Sequence, residues 1–135
     1  MPSFNLEIVT PEKTVYSGQV ASLQAPGSEG SFGVLTGHQP MLTSLQIGLM
    51  RFVVEGRHES KMAVSGGFAE VGREQVTVLA ETAEFAEEID IDRARAAHER
   101  AQERLGRKGD AEIDAVRAEA ALLRAMNRLR IVGAH

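Results

Sequence analysis

Cysteine and tryptophan are absent from this chain of 135 residues, and aromatic residues of every kind amount to 4% of it. Without cysteine there can be no disulfide, no thiolate metal site and no thiol nucleophile, so the fold has to hold by packing alone. Long apolar runs are missing as well: no stretch approaches the roughly 20 residues needed to cross a bilayer as a helix. The opening Met-Pro-Ser-Phe-Asn-Leu-Glu has neither a basic leader nor an apolar core, so membrane association is expected only through partners. Nor is there an excess of positive charge. The net charge is −4, divided as 5 basic against 7 acidic residues in 1–80 and 10 against 12 in 81–135, which is unlike a nucleic-acid polycation.

What is present changes character along the chain. Residues 1–80 hold all four prolines, ten of the thirteen glycines and four of the five phenylalanines. Residues 81–135 hold thirteen of the eighteen alanines and no aromatic after Phe85. The switch falls in Ala80 to Ala94 and predicts two units, 1–84 and 85–135. In the first, Phe4, Leu6 and Ile8 alternate with Asn5 and Glu7, the period of a half-buried strand. Short strands are expected around Val15 and Tyr16, from Val20 to Ala25 after Gly18, at Phe32–Leu35, Met41–Leu45, Leu49–Val54, Glu59–Val64 and Gln75–Leu79. Pro26 to Gly30, Thr36 to Pro40, Glu55 to His58 and Ser65 to Gly67 supply breaks or tight turns between them. So many short strands read as a sandwich or barrel.

In the second unit, Asp90 or Asp92 caps a helix in which Ala94, Ala97, Ala101 and Leu105 recur at helical spacing. Gly106 to Gly109 breaks it. Asp110 is the expected cap of a second helix, with Ile113, Val116, Ala120 and Leu123 as its apolar stripe until Gly133. Helices joined by so short a loop should form an antiparallel hairpin. The expected class is therefore α+β.

At about 100° per residue, Arg93, Arg100, Arg104 and Arg107 fall on one stripe of the first helix, and Arg117, Arg124 and Arg128 on another of the second. Such stripes are either solvated basic faces or sites for phosphates or an acidic partner, since guanidinium forks bind both. Gly27 to Gly33 is no phosphate cradle: it lacks the Walker lysine, leads into a strand and carries Glu29. Ser65 is one glycine short of a nucleophile elbow. His38, His58, His98 and His135 share no ligand spacing, so no metal site is expected. Of these only His38, in a Gly-His-x-Pro loop, is a candidate contact residue. Glu87, Glu88, Asp90 and Asp92 cluster at a helix start, where capping and the dipole account for them.

Four stretches in order carry a resemblance: Gly30-Ser31-Phe32-Gly33-Val34-Leu35-Thr36-Gly37-His38-Gln39-Pro40-Met41-Leu42-Thr43-Ser44-Leu45, Val64 to Val71, Val76 to Ala80 and Arg124 to Leu129. Together they closely resemble the epsilon subunit of the bacterial rotary F-type ATP synthase. The resemblance covers nearly the whole chain. It implies an antiparallel β-sandwich of about ten strands followed by an antiparallel αα-hairpin, in a subunit without an active site of its own. It implies a rotor component of the central stalk, at the cytoplasmic face of the membrane, coupling proton-driven rotation to the catalytic head. Implied partners are the gamma subunit, the ring of c subunits and the catalytic beta subunit, with the isolated chain a monomer.

Residue by residue, the resemblance implies a c-ring face at Glu29, Ser31 and His38. Some relatives are acidic where Ser31 stands. Arg104, Arg107 and Arg117 match contacts with an acidic loop of the beta subunit, by which an extended hairpin inhibits ATP hydrolysis. No cofactor is required, but ATP is implied as a regulatory ligand of the folded hairpin, through the motif Ile89-Asp90-Ile91-Asp92-Arg93-Ala94 together with Glu84, Arg100, Arg124 and Arg128. Two rivals stand against this: a stand-alone adaptor with a coiled-coil hairpin, against which the lack of sustained heptads argues, and a phosphate-ester enzyme using the carboxylates and arginines.

Overall fold

In β1 (Phe4–Val9) the alternation seen in the sequence becomes a pleat, with Phe4, Leu6 and Ile8 buried on one side and Asn5, Glu7 and Val9 on the other. The computed structural model describes residues 2–107 and 114–133. β2 (Thr14–Val20) returns antiparallel, Phe4 facing Val20 and Ile8 facing Tyr16. Gly18, expected to break this stretch, lies inside β2 instead; the break is at Ala21. A Cβ on Gly18 would stand 2.9 Å from the Tyr16 hydroxyl, the far end of a side chain that can shift.

β3 (Ser22–Gly27) and β4 (Gly30–Val34) form a tight hairpin with Gly27 opposite Gly30, so only Ser28 and Glu29 remain of the expected Pro26–Gly30 loop. β5 (Met41–Ser44), β6 (Gly48–Val53), β7 (Glu59–Val71) and β8 (Gln75–Phe85) bring the total to eight strands among the described residues, fewer than the ten the resemblance implies. The number is lower because β7 and β8 are long and continuous.

β7 pairs with β6 over Glu59–Val64 and with β5 over Phe68–Val71, while β8 follows its other edge through both halves. The two long strands thus belong to two layers, β2-β1-β8-β7-β5 and β8-β7-β6-β3-β4. They pass between layers at Gly66 and Gly67, both at positive φ (63° and 109°). What reads in sequence as a tight turn is a bend within a strand, and Ser65 beside it donates to or accepts from Thr82 across the pair. One pairing departs from the antiparallel expectation: β1 runs parallel to β8, Leu6 beside Val76 and Ile8 beside Val78. With 65 residues between those strands no hairpin dictates their direction, so the sequence carries no local signal for it.

Leu6, Ile8, Leu23, Met50, Phe52, Met62, Val64, Val76 and Val78 fill the space between the layers. The Phe52 ring sits 4.6 Å from Tyr16 and 6.3 Å from Phe85, centroid to centroid.

The chain divides into two compact units, Met1–Phe85 and Ala86–His135. The second begins with a single 3-10 turn at Ala86–Glu88 and continues as α1 (Ile91–Gly106) and α2 (Ala115–Ile131). Asp90 rather than Asp92 caps α1, its Oδ1 accepting the Arg93 N–H at 3.1 Å, while Asp92 lies in the first turn where the dipole favours it. The α2 cap is Asp114, accepting from the Arg117 N–H at 3.1 Å; Asp110, the expected cap, and Ile113 lie outside the described residues. Val132 is the C-cap of α2, and Gly133 follows it at φ 75°.

The apolar register of α2 also differs from expectation. Val116 is 80% and Leu123 47% exposed, and the buried residues are Ala118, Ala125, Asn127 and Leu129. Ala118, the half-buried Leu122, Ala125 and Leu129 recur at four, three and four residues, a seam as regular as the one expected. The alanines decide between the two stripes, because only a small side chain lets helix backbones approach closely.

Candidate functional site

On α1 the buried seam is Ala94 and Ala101 with half-buried Ala97 and Leu105. Each stripe arginine stands one residue before a seam position: Arg93 before Ala94, Arg100 before Ala101, Arg104 before Leu105, and on α2 Arg117, Arg124 and Arg128 before Ala118, Ala125 and Leu129. One residue back is a rotation of about 100° about the helix axis. Looking along α1, this rotation carries the arginines to one side of the seam. On an antiparallel helix facing it, the reversed direction cancels the reversed outlook, so the rotation carries the second stripe to the same side. With the alanine seams turned toward each other, the hairpin gathers six arginines on one face. Arg95 and Arg130, each one residue after a seam position, fall on the opposite face.

Arg93, Arg100, Arg104 and Arg117 are exposed, and Arg124 and Arg128 half-buried. Arg107, expected on the first stripe, is the exposed C-cap of α1, its N–H bonded to the Arg104 carbonyl at 3.0 Å. Asp90, Arg93 and Ala94 share one capping turn, in which the Ala94 N–H also bonds the Asp90 carbonyl at 3.0 Å. Ile89 is buried immediately before it. Glu84 stands half-buried on β8 in the first unit.

The three residues expected at a c-ring face are less closely grouped. Glu29 is exposed in the β3–β4 turn, and Ser31 follows on β4, its hydroxyl accepting from Gln24 Nε2 at 3.2 Å. That turn is tied to the end of β5: the Ser28 N–H bonds the Ser44 carbonyl at 2.9 Å, and the two hydroxyls meet at 2.7 Å. His38 precedes the start of β5, where the Gly37 N–H bonds the Arg73 carbonyl at 3.0 Å. The length of β5, about 13 Å at 3.3 Å per residue, therefore separates His38 from Glu29. His38 Nδ1 lies 2.7 Å from the Gln39 carbonyl, which can only accept, so Nδ1 is the donor in that bond.

Sequence reasoning passed over three exposed apolar residues on the first unit. Leu42, Phe68 and Leu79 are 68, 55 and 53% exposed. Their signal is parity: Phe68 alternates with buried Ala69 on β7, and Leu79 with buried Val78 and Ala80 on β8. Among the described residues no group of carboxylates and histidines could hold a metal ion, and no helix is long and apolar enough to cross a membrane.

A family model described as the β-sandwich domain of the ATP synthase delta/epsilon chain matches residues 3–86, and one described as the long alpha-helix domain of that chain matches residues 87–133. The chain belongs to the ATP synthase delta/epsilon family. Among its relatives is the ATP synthase epsilon chain of Moorella thermoacetica, 51% identical over 134 residues that span 99% of both chains. That of Nitratidesulfovibrio vulgaris (strain DP4) is 53% identical over 131 residues, 97% of this chain and 96% of the relative. A solved structure of the Euglena gracilis mitochondrial ATP synthase, comprising OSCP, F1 and c-ring in one rotational state, contains a chain matching with a TM-score of 0.82 at 26% identity, over 94% of this chain and 79% of that one. The delta/epsilon family match spans both units in order, sandwich first and two-helix hairpin second, and supports an epsilon subunit over a stand-alone adaptor.

Proposed function

We propose that the chain works as a rotor subunit of the ATP synthase, without an active site of its own, seated on the central stalk and held at the cytoplasmic face of the membrane through its partners. The sandwich joins the shaft to the c-ring, and the hairpin regulates ATP hydrolysis. The observation that carries the regulatory part is the one-sided arginine face. Six guanidiniums on one side of a hairpin form a docking surface for a polyanion, and different parts of the hairpin's basic surface serve two of them in turn. With the hairpin folded, Arg93, Arg100, Arg124 and Arg128 hold the phosphates of ATP, next to the capping turn of Ile89, Asp90 and Ala94. With it extended, Arg104, Arg107 and Arg117 engage an acidic surface of the catalytic beta subunit. ATP favours the folded state only to the extent that it binds that state more tightly.

Calorimetric titration of the whole chain with ATP, with and without magnesium, tests this. Binding that is lost in the Arg124→Ala/Arg128→Ala variant supports the nucleotide latch. Binding unchanged in that variant refutes it and leaves the arginine face to the beta subunit.

A further inference from the structure

The two buried seams of the hairpin match each other end to end. From Ala94 to Ala101 to Leu105 the steps are seven and four residues, and from Leu129 back to Leu122 and Ala118 they are seven and four again. Antiparallel helices with one spacing pack level for level, which sets Ala94 level with Leu129, Ala101 with Leu122 and Leu105 with Ala118. The helix ends joined by the loop, Gly106 and Ala115, are then nearly level too.

This register arranges the arginine face in three pairs: Arg93 with Arg128, Arg100 with Arg124, and Arg104 with Arg117. At a rise of 1.5 Å per residue, successive pairs are about 8 Å apart and the outer two about 16 Å. Between the two rows, on the same side of the seams, stand Ala97 and Ala121, so the floor of the face is low. None of the four carboxylates of the described helices, Asp92, Glu99, Glu103 and Glu119, falls on the arginine stripes.

A nucleoside triphosphate has two anhydride links between its phosphates and reaches from one pair to the next. The face is longer than that. We infer that its full length binds inorganic polyphosphate, a linear chain with a negative charge on every unit, which meets the three pairs in turn. Each guanidinium fork takes phosphate oxygens, and each pair engaged makes contact with the next intramolecular, so affinity grows with chain length until all three are covered. An acidic polypeptide is the poorer fit, because its carboxylates hang on rotatable side chains and its backbone must be ordered on binding. The inference rests on reading this face as a phosphate site. It adds an occupant that competes with ATP at the first two pairs and with the beta subunit at Arg104 and Arg117.

The test is calorimetric titration of the intact chain, without magnesium, with tripolyphosphate and with sodium polyphosphate averaging about ten units, at two KCl concentrations. The long chain binds at least about tenfold more tightly per chain, and its affinity falls more steeply with KCl because more counterions are released. Arg104→Ala/Arg117→Ala brings its affinity down to that of tripolyphosphate. Arg95→Ala/Arg130→Ala, the same charge change on the opposite face, leaves it as in wild type. Equal affinity of wild type for the two phosphates overturns the inference whether or not any variant folds, and so do equal losses in the two double variants. Poly-glutamate of matched charge binding as tightly as polyphosphate overturns it in favour of an acidic polypeptide. A parallel titration with ATP separates this inference from the nucleotide latch. ATP binding without a gain from chain length overturns the polyphosphate site alone, and a gain from chain length without ATP binding supports that site and overturns the latch.

Discussion

A Cβ placed on Gly67 would stand 1.9 Å from the carbonyl oxygen of Leu79 on the neighbouring strand. The φ of Gly67, 109°, is also one that side chains rarely adopt. At this point β7 and β8 pass together from one layer of the sandwich to the other, and the close approach is what the crossing requires. Gly67→Ala is therefore expected to cost at least about 3 kcal/mol in urea unfolding of the intact chain, since backbone strain and a collision with main chain act together. Gly56→Ala is the comparison. Its φ of 76° is also positive, but nothing lies within 4 Å of the added Cβ, so the cost is the left-handed conformation alone, about 1 kcal/mol.

That crossing also marks where the sequence stopped being legible. The alternation of Phe4, Leu6 and Ile8 needs only the two-residue period of a strand, and it survives folding intact. Gly66-Gly67 looks the same in sequence whether the chain reverses or bends and continues, because both demand positive φ. Only pairing on both sides of the pair distinguishes them, and pairing is not local. The parallel β1–β8 contact was hidden for the same reason. In the hairpin, two stripes on α2 satisfied helical spacing, and the choice of Ala118, Ala125 and Leu129 over Val116 and Leu123 depends on how closely the helices pack. The arginine stripes were visible in the sequence. That they share one side follows only once the seam is known.

The caps offer a second test. Asp90 and Asp114 each accept one N–H from the third residue of their own helix, Arg93 and Arg117. Replacing either by alanine removes that acceptor and is expected to cost about 1 kcal/mol, whereas asparagine, which caps about as well, is nearly neutral. Far-UV circular dichroism through a urea titration reads both outcomes. A loss with asparagine equal to that with alanine would mean that charge, rather than the hydrogen bond, holds the turn.

Phe52 is 1% exposed and touches the rings of Tyr16 and Phe85, so it joins β6 to β2 and to the end of β8. Phe52→Ala should lower unfolding free energy by about 3–5 kcal/mol through lost burial and the cavity left behind. Phe52→Leu should cost much less, because most of the volume remains.

On the outside of the same sheet Arg51 makes a chain of polar contacts, its Nη2 donating to Gln24 Oε1 and its Nε standing 3.9 Å from a Glu59 oxygen. Both ends of the Arg51–Glu59 pair are more than one-third exposed. Water solvates these groups about as well when they are apart, so Arg51→Ala is expected to cost under about 1 kcal/mol despite its several partners. A loss as large as that of Phe52→Ala would show the ladder to be structural.

The sidedness of the arginine face gives the most discriminating test of the hairpin's role. Arg93 and Arg95 are two residues apart on α1 and both exposed, yet they flank the Ala94 seam on opposite sides; Arg128 and Arg130 flank Leu129 in the same way. If the phosphates of ATP sit on the face defined by Arg93, Arg100, Arg124 and Arg128, then Arg93→Ala and Arg128→Ala weaken binding and Arg95→Ala and Arg130→Ala do not. Net charge changes equally in all four, so non-specific attraction predicts four equal losses. A double-mutant cycle between Arg100 and Arg124, on facing helices, should further show a coupling of about 0.5–3 kcal/mol in ATP affinity, as expected of two groups that share one ligand. Additive losses there would place the two arginines on separate sites and leave the hairpin without a common phosphate pocket.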